Sequence, residues 1–139
     1  MSMKNLVVRL AKIVDKVATG DDIFTVKKPI KFKPEGGVTR LSLENARMIQ
    51  DAGYRFVRGI MQYDNVGGDW WVTAFFERNE EMASHKFGGF SFGYGGEGPR
   101  GLIEFSRMFG IGLDAGKITS SSYRSSLPPK GIMDLVQMF

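Results

Sequence analysis

Leu6, Val7, Leu10, Ile13, Val14 and Val17 recur at helical spacing, with Lys4, Arg9, Lys12, Asp15 and Lys16 between them. That pattern predicts an amphipathic helix over residues 4–18, ended by Thr19-Gly20-Asp21-Asp22. From Ile23 to Lys33 the pattern shortens towards period two. Phe24, Val26, Ile30 and Phe32 fall on one face, and Lys27, Lys31 and Lys33 on the other. Pro29 and the lysines mark an edge strand, because proline cannot donate to a central ladder and lysines discourage strand addition. Pro34-Glu35-Gly36-Gly37 reads as a turn. A second helix opens at Leu41, with Ser42 as N-cap and a Leu41–Ala46 staple, and stops at Gly53.

Tyr54 to Met61 and Trp70 to Glu77 read as two strands of a hairpin, joined through the turn chemistry of Tyr63 to Asp69, where Asp64 and Asp69 would cap turns. Both faces of the second strand are apolar at its start, so it belongs in the centre of a sheet or against a partner. Asn79 to Lys86 is polar and reads as a short helix or loop. Phe87 to Phe92 reads as a fourth strand. Leu102, Ile103, Phe105, Met108 and Phe109 return to helical spacing, placing a third helix from Pro99 to Phe109. Ser120 to Ser126 is serine-rich, and residues 119–130 read as a mobile loop. Ile132, Leu135, Val136 and Phe139 then close the chain with an amphipathic segment over Gly131–Phe139.

These elements make an α+β fold. We expect a single domain over residues 1–139, with an antiparallel sheet of about four strands. Helices from the N-terminal, central and C-terminal parts of the chain should cover one face. At 139 residues the chain can bury a core without staples. It has 18 glycines and 11 phenylalanines, the first implying many turns and the second supplying core volume.

The absence of cysteine removes disulfides, thiolate metal sites and a cysteine nucleophile, and suits a reducing cytoplasm. His85 is the sole histidine, so a histidine-rich metal site is excluded; we expect it to be structural, at the surface or partly buried. The first residues do not read as a signal peptide, and no stretch approaches a membrane span. No catalytic set, cofactor or metal site emerges. The formal charge of +4 permits an anionic partner.

Within Phe90–Leu102, two overlapping GxGxxG strings, Gly93/Gly95/Gly98 and Gly96/Gly98/Gly101, lie between a predicted strand and a helix. Three features weigh against a dinucleotide fold: no room remains for further parallel strands, Glu97 sits where pyrophosphate would, and Pro99 removes an amide. Pro99 suits a first helical turn, and Gly95 and Gly98 suit positive φ at a tight corner. Helix N-termini attract anions. Tyr94 offers a stacking face, and Arg100 a fork for phosphate or carboxylate. The candidate site is therefore Gly93, Tyr94, Gly95, Gly96, Gly98, Arg100 and Gly101. A second candidate is Arg55, Arg58 and Trp71, an interleaving of basic and aromatic residues that suits single-stranded nucleic acid. The apolar outer face of Trp70–Phe76 is a third, for a protein partner or a homo-oligomer.

The run aromatic-x-aromatic-Gly-Tyr-Gly-Gly-x-Gly-Pro-x-x-Leu, here Phe90 to Leu102, resembles the signature of a family of small uncharacterised proteins from bacteriophages and mobile elements. Family members often carry tryptophan at the position of Phe92 and serine at that of Glu97. The resemblance implies a viral or plasmid setting and no enzyme activity. The reading drawn here is non-enzymatic binding of a small anionic ligand, a nucleotide or nucleotide-derived signal. In a phage setting in the host cytoplasm, such binding would sequester a host defence signal, and the serine-rich segment would close over it.

Overall fold

The computed structural model describes residues 30–139. The N-terminal helix, and the part of the first predicted strand before Ile30, lie outside these residues. Ile30 to Glu35 is irregular. No strand forms here because the backbone of Lys33 is paired with a side chain: its N–H donates to Asn45 Oδ1 at 2.9 Å, and its C=O accepts from Asn45 Nδ2 at 2.8 Å. The turn falls at Gly36-Gly37.

Helix α1, Thr39–Asp51, starts earlier than its sequence signals suggest. Its N-cap is Val38, which supplies no side-chain hydrogen bond. Ser42 does not cap it; it points inward from the first turn with Thr39, Asn45, Ala46 and Ile49. Gly53 adopts φ +88° and ends the helix, as its position implies.

Four strands form one antiparallel sheet: β1 (Arg55–Asp64), β2 (Asp69–Arg78), β3 (Glu81–Phe87) and β4 (Lys130–Asp134), ordered β3-β2-β1-β4. The β1–β2 hairpin closes on Asp64↔Asp69, and Asp64 Oδ1 accepts from the amides of Val66 and Gly67, each at 2.9 Å. A bulge interrupts β1 between Phe56 and Arg58. β2 is central, as its two apolar faces require.

Two strand assignments change. Asn79 to Lys86 is not a helix or loop: Arg78↔Glu81 closes a hairpin through Asn79 (φ +48°) and Glu80 (φ +66°), and β3 follows. This is the left-handed two-residue turn that matches strand twist. Phe87 to Phe92 is not a strand beyond Phe87. The chain turns at Gly88 and Gly89, whose missing Cβ atoms allow contact with the carbonyls of Gly36 and Val38.

Helix α2 spans Glu97–Met108, with Pro99 in its first turn. Ser121–Ser126 forms a helix (α4) after the short α3 (Ala115–Ile118), in place of the expected loop. Ser120 Oγ accepts from Tyr123 N at 3.0 Å and starts α4. The last segment is split: β4 adds to β1, then Asp134 caps α5 (Leu135–Met138).

One sheet face carries Met61, Tyr63, Val72, Ala74, Phe76, Ala83 and Phe87. It packs against Ala46 and Ile49 of α1, Leu102 and Phe105 of α2, and the loop residues Phe90 and Phe92. Phenylalanine rings interlock here at centroid spacings of 5.1–6.4 Å, the range in which edge and tilted pairs attract. On the opposite face Ile60, Phe75 and Met82 are also buried. Among the described residues no helix is long and apolar enough to cross a membrane.

Candidate functional site

The glycine-rich loop connects β3 to α2 across the top of the core. Phe90 and Phe92 anchor it from below, both fully buried. Most of its glycines are required by close approach. Gly93 has φ +92°, and the aliphatic stem of Arg124 crosses it so closely that a Cβ would lie 2.3 Å from Arg124 Cδ. The ring of Tyr94 folds back over Gly96, Ser91 Oγ lies against Gly98, and the Thr39 methyl of α1 lies against Gly101. Only Gly95, of the five, faces open space. The density of glycine is therefore a packing requirement between the loop, α1 and α4. Gly95 and Gly98 do not adopt the positive φ expected of them; Gly93 does.

Three side chains give this corner its chemistry. Trp70, at the start of β2, lies between Phe92 (5.0 Å, tilted) and Tyr94 (6.5 Å, edge-on). Arg124 places its guanidinium 4.0 Å over the same indole and donates through Nε to Asn65 Oδ1 at 3.1 Å. Tyr94 is 45% exposed, with its hydroxyl 3.0 Å from Ser91 Oγ. Trp70 Nε1 is buried and has no hydrogen-bond acceptor among the described residues. Arg124 makes no ion pair among the described residues, so its charge is available. Arg100 is exposed in the first turn of α2, beside Glu97. The structure thus brings Gly93, Tyr94, Gly96 and Gly98 to one corner, but the cation that touches the aromatic pair is Arg124. Sequence reasoning missed it because it lies in the serine-rich segment, about sixty residues from Asn65.

Arg55, Arg58 and Trp71 share the opposite face of the sheet, as alternation along β1 and β2 requires. Each is engaged. Arg55 pairs with Glu77 and Arg58 with Asp134, both at 2.6 Å. Trp71 Nε1 donates to Gln62 Oε1 at 2.8 Å, and Lys86 Nζ lies 4.5 Å over its ring. Residues 1–29 hold six of the 19 Lys and Arg but three of the 15 Asp and Glu, so the described part is nearly neutral. The third candidate surface is divided by the pleat: Trp70, Val72, Ala74 and Phe76 face the core, while Trp71, Thr73 and Phe75 face away.

A cluster that sequence spacing does not reveal lies at the β3 edge. The Glu35 carboxylate, its side chain 6% exposed, accepts from Ser42 Oγ (2.5 Å), Asn45 Nδ2 (2.6 Å), Gly88 N (3.1 Å) and His85 Nε2. Burial pushes its pKa up. The hydrogen bonds from His85, Ser42 and Asn45, with the charge of His85, outweigh that and hold it below the usual glutamate range. His85 lies between Phe32 (4.1 Å) and Phe87 (4.5 Å). The two residues border an open cleft of about 270 Å³ that Lys33, Gly36, Lys86 and Gly88 complete. His85 is thus partly buried, as expected, but it has a carboxylate partner. No group of three or more acidic or histidine side chains that could hold a metal ion occurs among the described residues.

Comparison of the chain with protein-family models, with characterised proteins and with solved structures finds no match. The functional reading therefore rests on these geometries.

Proposed function

We propose that the chain binds a small anionic ligand bearing an aromatic ring, of the nucleotide class, without transforming it. The site is the corner formed by the Gly93–Gly101 loop, the tip of the β1–β2 hairpin and α4. The observation that carries this reading is the Arg124 guanidinium over Trp70, paired with no carboxylate among the described residues, with the half-exposed Tyr94 ring against the same indole. The buried Trp70 Nε1 lacks an acceptor among the described residues, and leaving a buried donor unpaired is unfavourable, so a ligand acceptor admitted by a shift of the Tyr94 or Arg124 side chain would relieve it. Tyr94 would stack on the ring of the ligand and Arg124 would take its negative charge. The first-turn amides of α2 lie beside Tyr94 and Ser91 and favour an anion there. In the phage-type setting suggested by the Phe90–Leu102 signature, the use of such a site is sequestration of a nucleotide-derived signal.

The test is thermal unfolding against mononucleotides, cyclic dinucleotides, ADP-ribose and a short single-stranded oligonucleotide. A ligand at a hundredfold excess over its Kd stabilises the fold by about 2.7 kcal/mol, a readily measured shift. We expect one small nucleotide to raise the midpoint. Arg124→Gln should weaken its binding roughly tenfold or more, as loss of a charged hydrogen bond does. Circular dichroism of the variant should remain that of the parent. A flat panel from folded protein would sink the proposal. A response confined to the oligonucleotide, falling steeply with salt and abolished by Trp71→Ala, would move the function to the other sheet face.

A further inference from the structure

We propose that His85 is a phosphoryl-acceptor site: its Nδ1 takes a phosphoryl group from a small activated donor, an acyl phosphate or a phosphoramidate, bound in the cleft between Lys33 and Lys86. Three observations carry this. First, the Nε2 of the ring is bonded to the Glu35 carboxylate, so the Nε2 proton is held and, in the neutral ring, the Nδ1 lone pair is the nucleophile. Among the described residues Nδ1 makes no hydrogen bond. Second, Glu35 cannot swing away. Ser42, Asn45 and Gly88 fix its two oxygens from α1 and from the loop after β3. A buttressed imidazole of this kind is oriented, and its cationic form is stabilised when the ring acquires a substituent. Third, the cleft beside it is large enough for a phosphoryl donor, and two exposed basic residues line it: Lys33, whose Nζ also meets Glu44 at 2.7 Å, and Lys86, whose Nζ rests over Trp71 and would turn to the donor.

The step balances without a further reactant. With phosphoramidate, Nδ1 attacks phosphorus, the P–N bond breaks, and ammonia leaves with the protons already on its nitrogen. The Nε2 proton stays on the ring facing Glu35, whose negative charge offsets the new positive charge on the imidazole. A histidine that served only to tie Phe32 and Glu35 to the sheet would be shielded in the folded chain and would react faster once unfolded.

The sole histidine makes the experiment clean. Full-length protein is incubated with potassium phosphoramidate, and labelling is followed by intact mass, acid lability and peptide mapping. We expect one acid-labile phosphoryl group, on His85, added at least about tenfold faster to native protein than to the same chain in urea. Lys86→Gln, a substitution at an exposed side chain, should raise the donor concentration for half-maximal rate and leave the saturating rate unchanged. Glu35→Gln, assayed in the cold where it is folded, should slow labelling at least about tenfold. Native protein that stays unlabelled, or labels more slowly than the unfolded chain, overturns the proposal. So does a Lys86→Gln variant with unaltered donor dependence.

Discussion

Replacing Glu35 with glutamine is expected to destabilise the fold by about 3 kcal/mol, the upper end for leaving buried hydrogen-bond donors without their acceptor. The carboxylate faces donors only: a hydroxyl, an amide N–H₂, a backbone N–H and an imidazole N–H. A glutamine side chain keeps the volume but turns two of its own N–H bonds towards them, so donors are left without acceptors around a side chain that is 6% exposed. The loss should appear as a fall in Tm on the order of 10 °C. It should also depend on pH in a particular direction. Because the Glu35 pKa is held below its ordinary value, its contribution is complete above about pH 4.5 and fades as pH falls through the folded-state value. The gap between parent and variant midpoints should therefore be widest near neutrality and narrow below that point. A gap of constant width from neutrality to pH 3 would mean that the carboxylate contributes volume and not charge.

The same residue shows where sequence reading stops. Glu35 follows a proline and precedes two glycines, so locally it is turn chemistry. Its partners lie seven, ten, fifty and fifty-three residues away. Only folding brings them together, and no periodicity encodes such a set. The β1–β2 hairpin was legible because its alternation is regular and its turn carries Asp and Gly at the positions that need them. The second hairpin was hidden twice. Asn79 and Glu80 take positive φ without a glycine to announce it, and β3 places a histidine among Ala83 and Phe87 on its core face, which masks the alternation.

The C-terminal segment misled for a different reason. Ile132, Leu135, Val136 and Phe139 fit a helical stripe, but Ile132 and Val136 are exposed while Met133, Leu135 and Phe139 face the core. A strand-to-helix switch at Asp134 produces both patterns in ten residues. Four strands form among the described residues, as many as expected, although Phe87 to Phe92 is not one of them and most of the segment Ile23 to Lys33 lies outside these residues. The glycine loop was legible in the density and spacing of its glycines. At Gly93, Gly96, Gly98 and Gly101 side chains of this same chain lie where an added Cβ would stand, contacts that glycine spacing does not announce.

That distinction yields the second large effect. Gly89→Ala is expected to destabilise the protein by about 3 kcal/mol, the upper end of overpacking, and Gly101→Ala by about 1–3 kcal/mol. At Gly89 the new methyl would stand 2.6 Å from the Val38 carbonyl oxygen and 2.7 Å from Thr39 Cα, both backbone atoms at the start of α1. The helix cannot retreat without breaking the bond from Gly89 N to Ser42 Oγ (2.9 Å) and that from Thr39 Oγ1 to Gly89 O (2.7 Å). At Gly101 the methyl would meet Thr39 Cγ2 at 2.2 Å, and Thr39 cannot rotate away while its hydroxyl holds the Gly89 carbonyl. Gly95→Ala is the control, since nothing lies within 4 Å of its added carbon. Urea unfolding of the three variants should show large losses at Gly89 and Gly101 and a change within about 0.5 kcal/mol at Gly95. The control also reads the site. If a nucleotide lies against the loop where the backbone is open, Gly95→Ala weakens its binding while leaving the unfolding curve in place. If the unfolding curve moves as far for Gly95→Ala as for Gly101→Ala, then backbone freedom rather than close packing explains the loop, and the assignment of its glycines to contacts with Thr39, Ser91 and Arg124 is wrong.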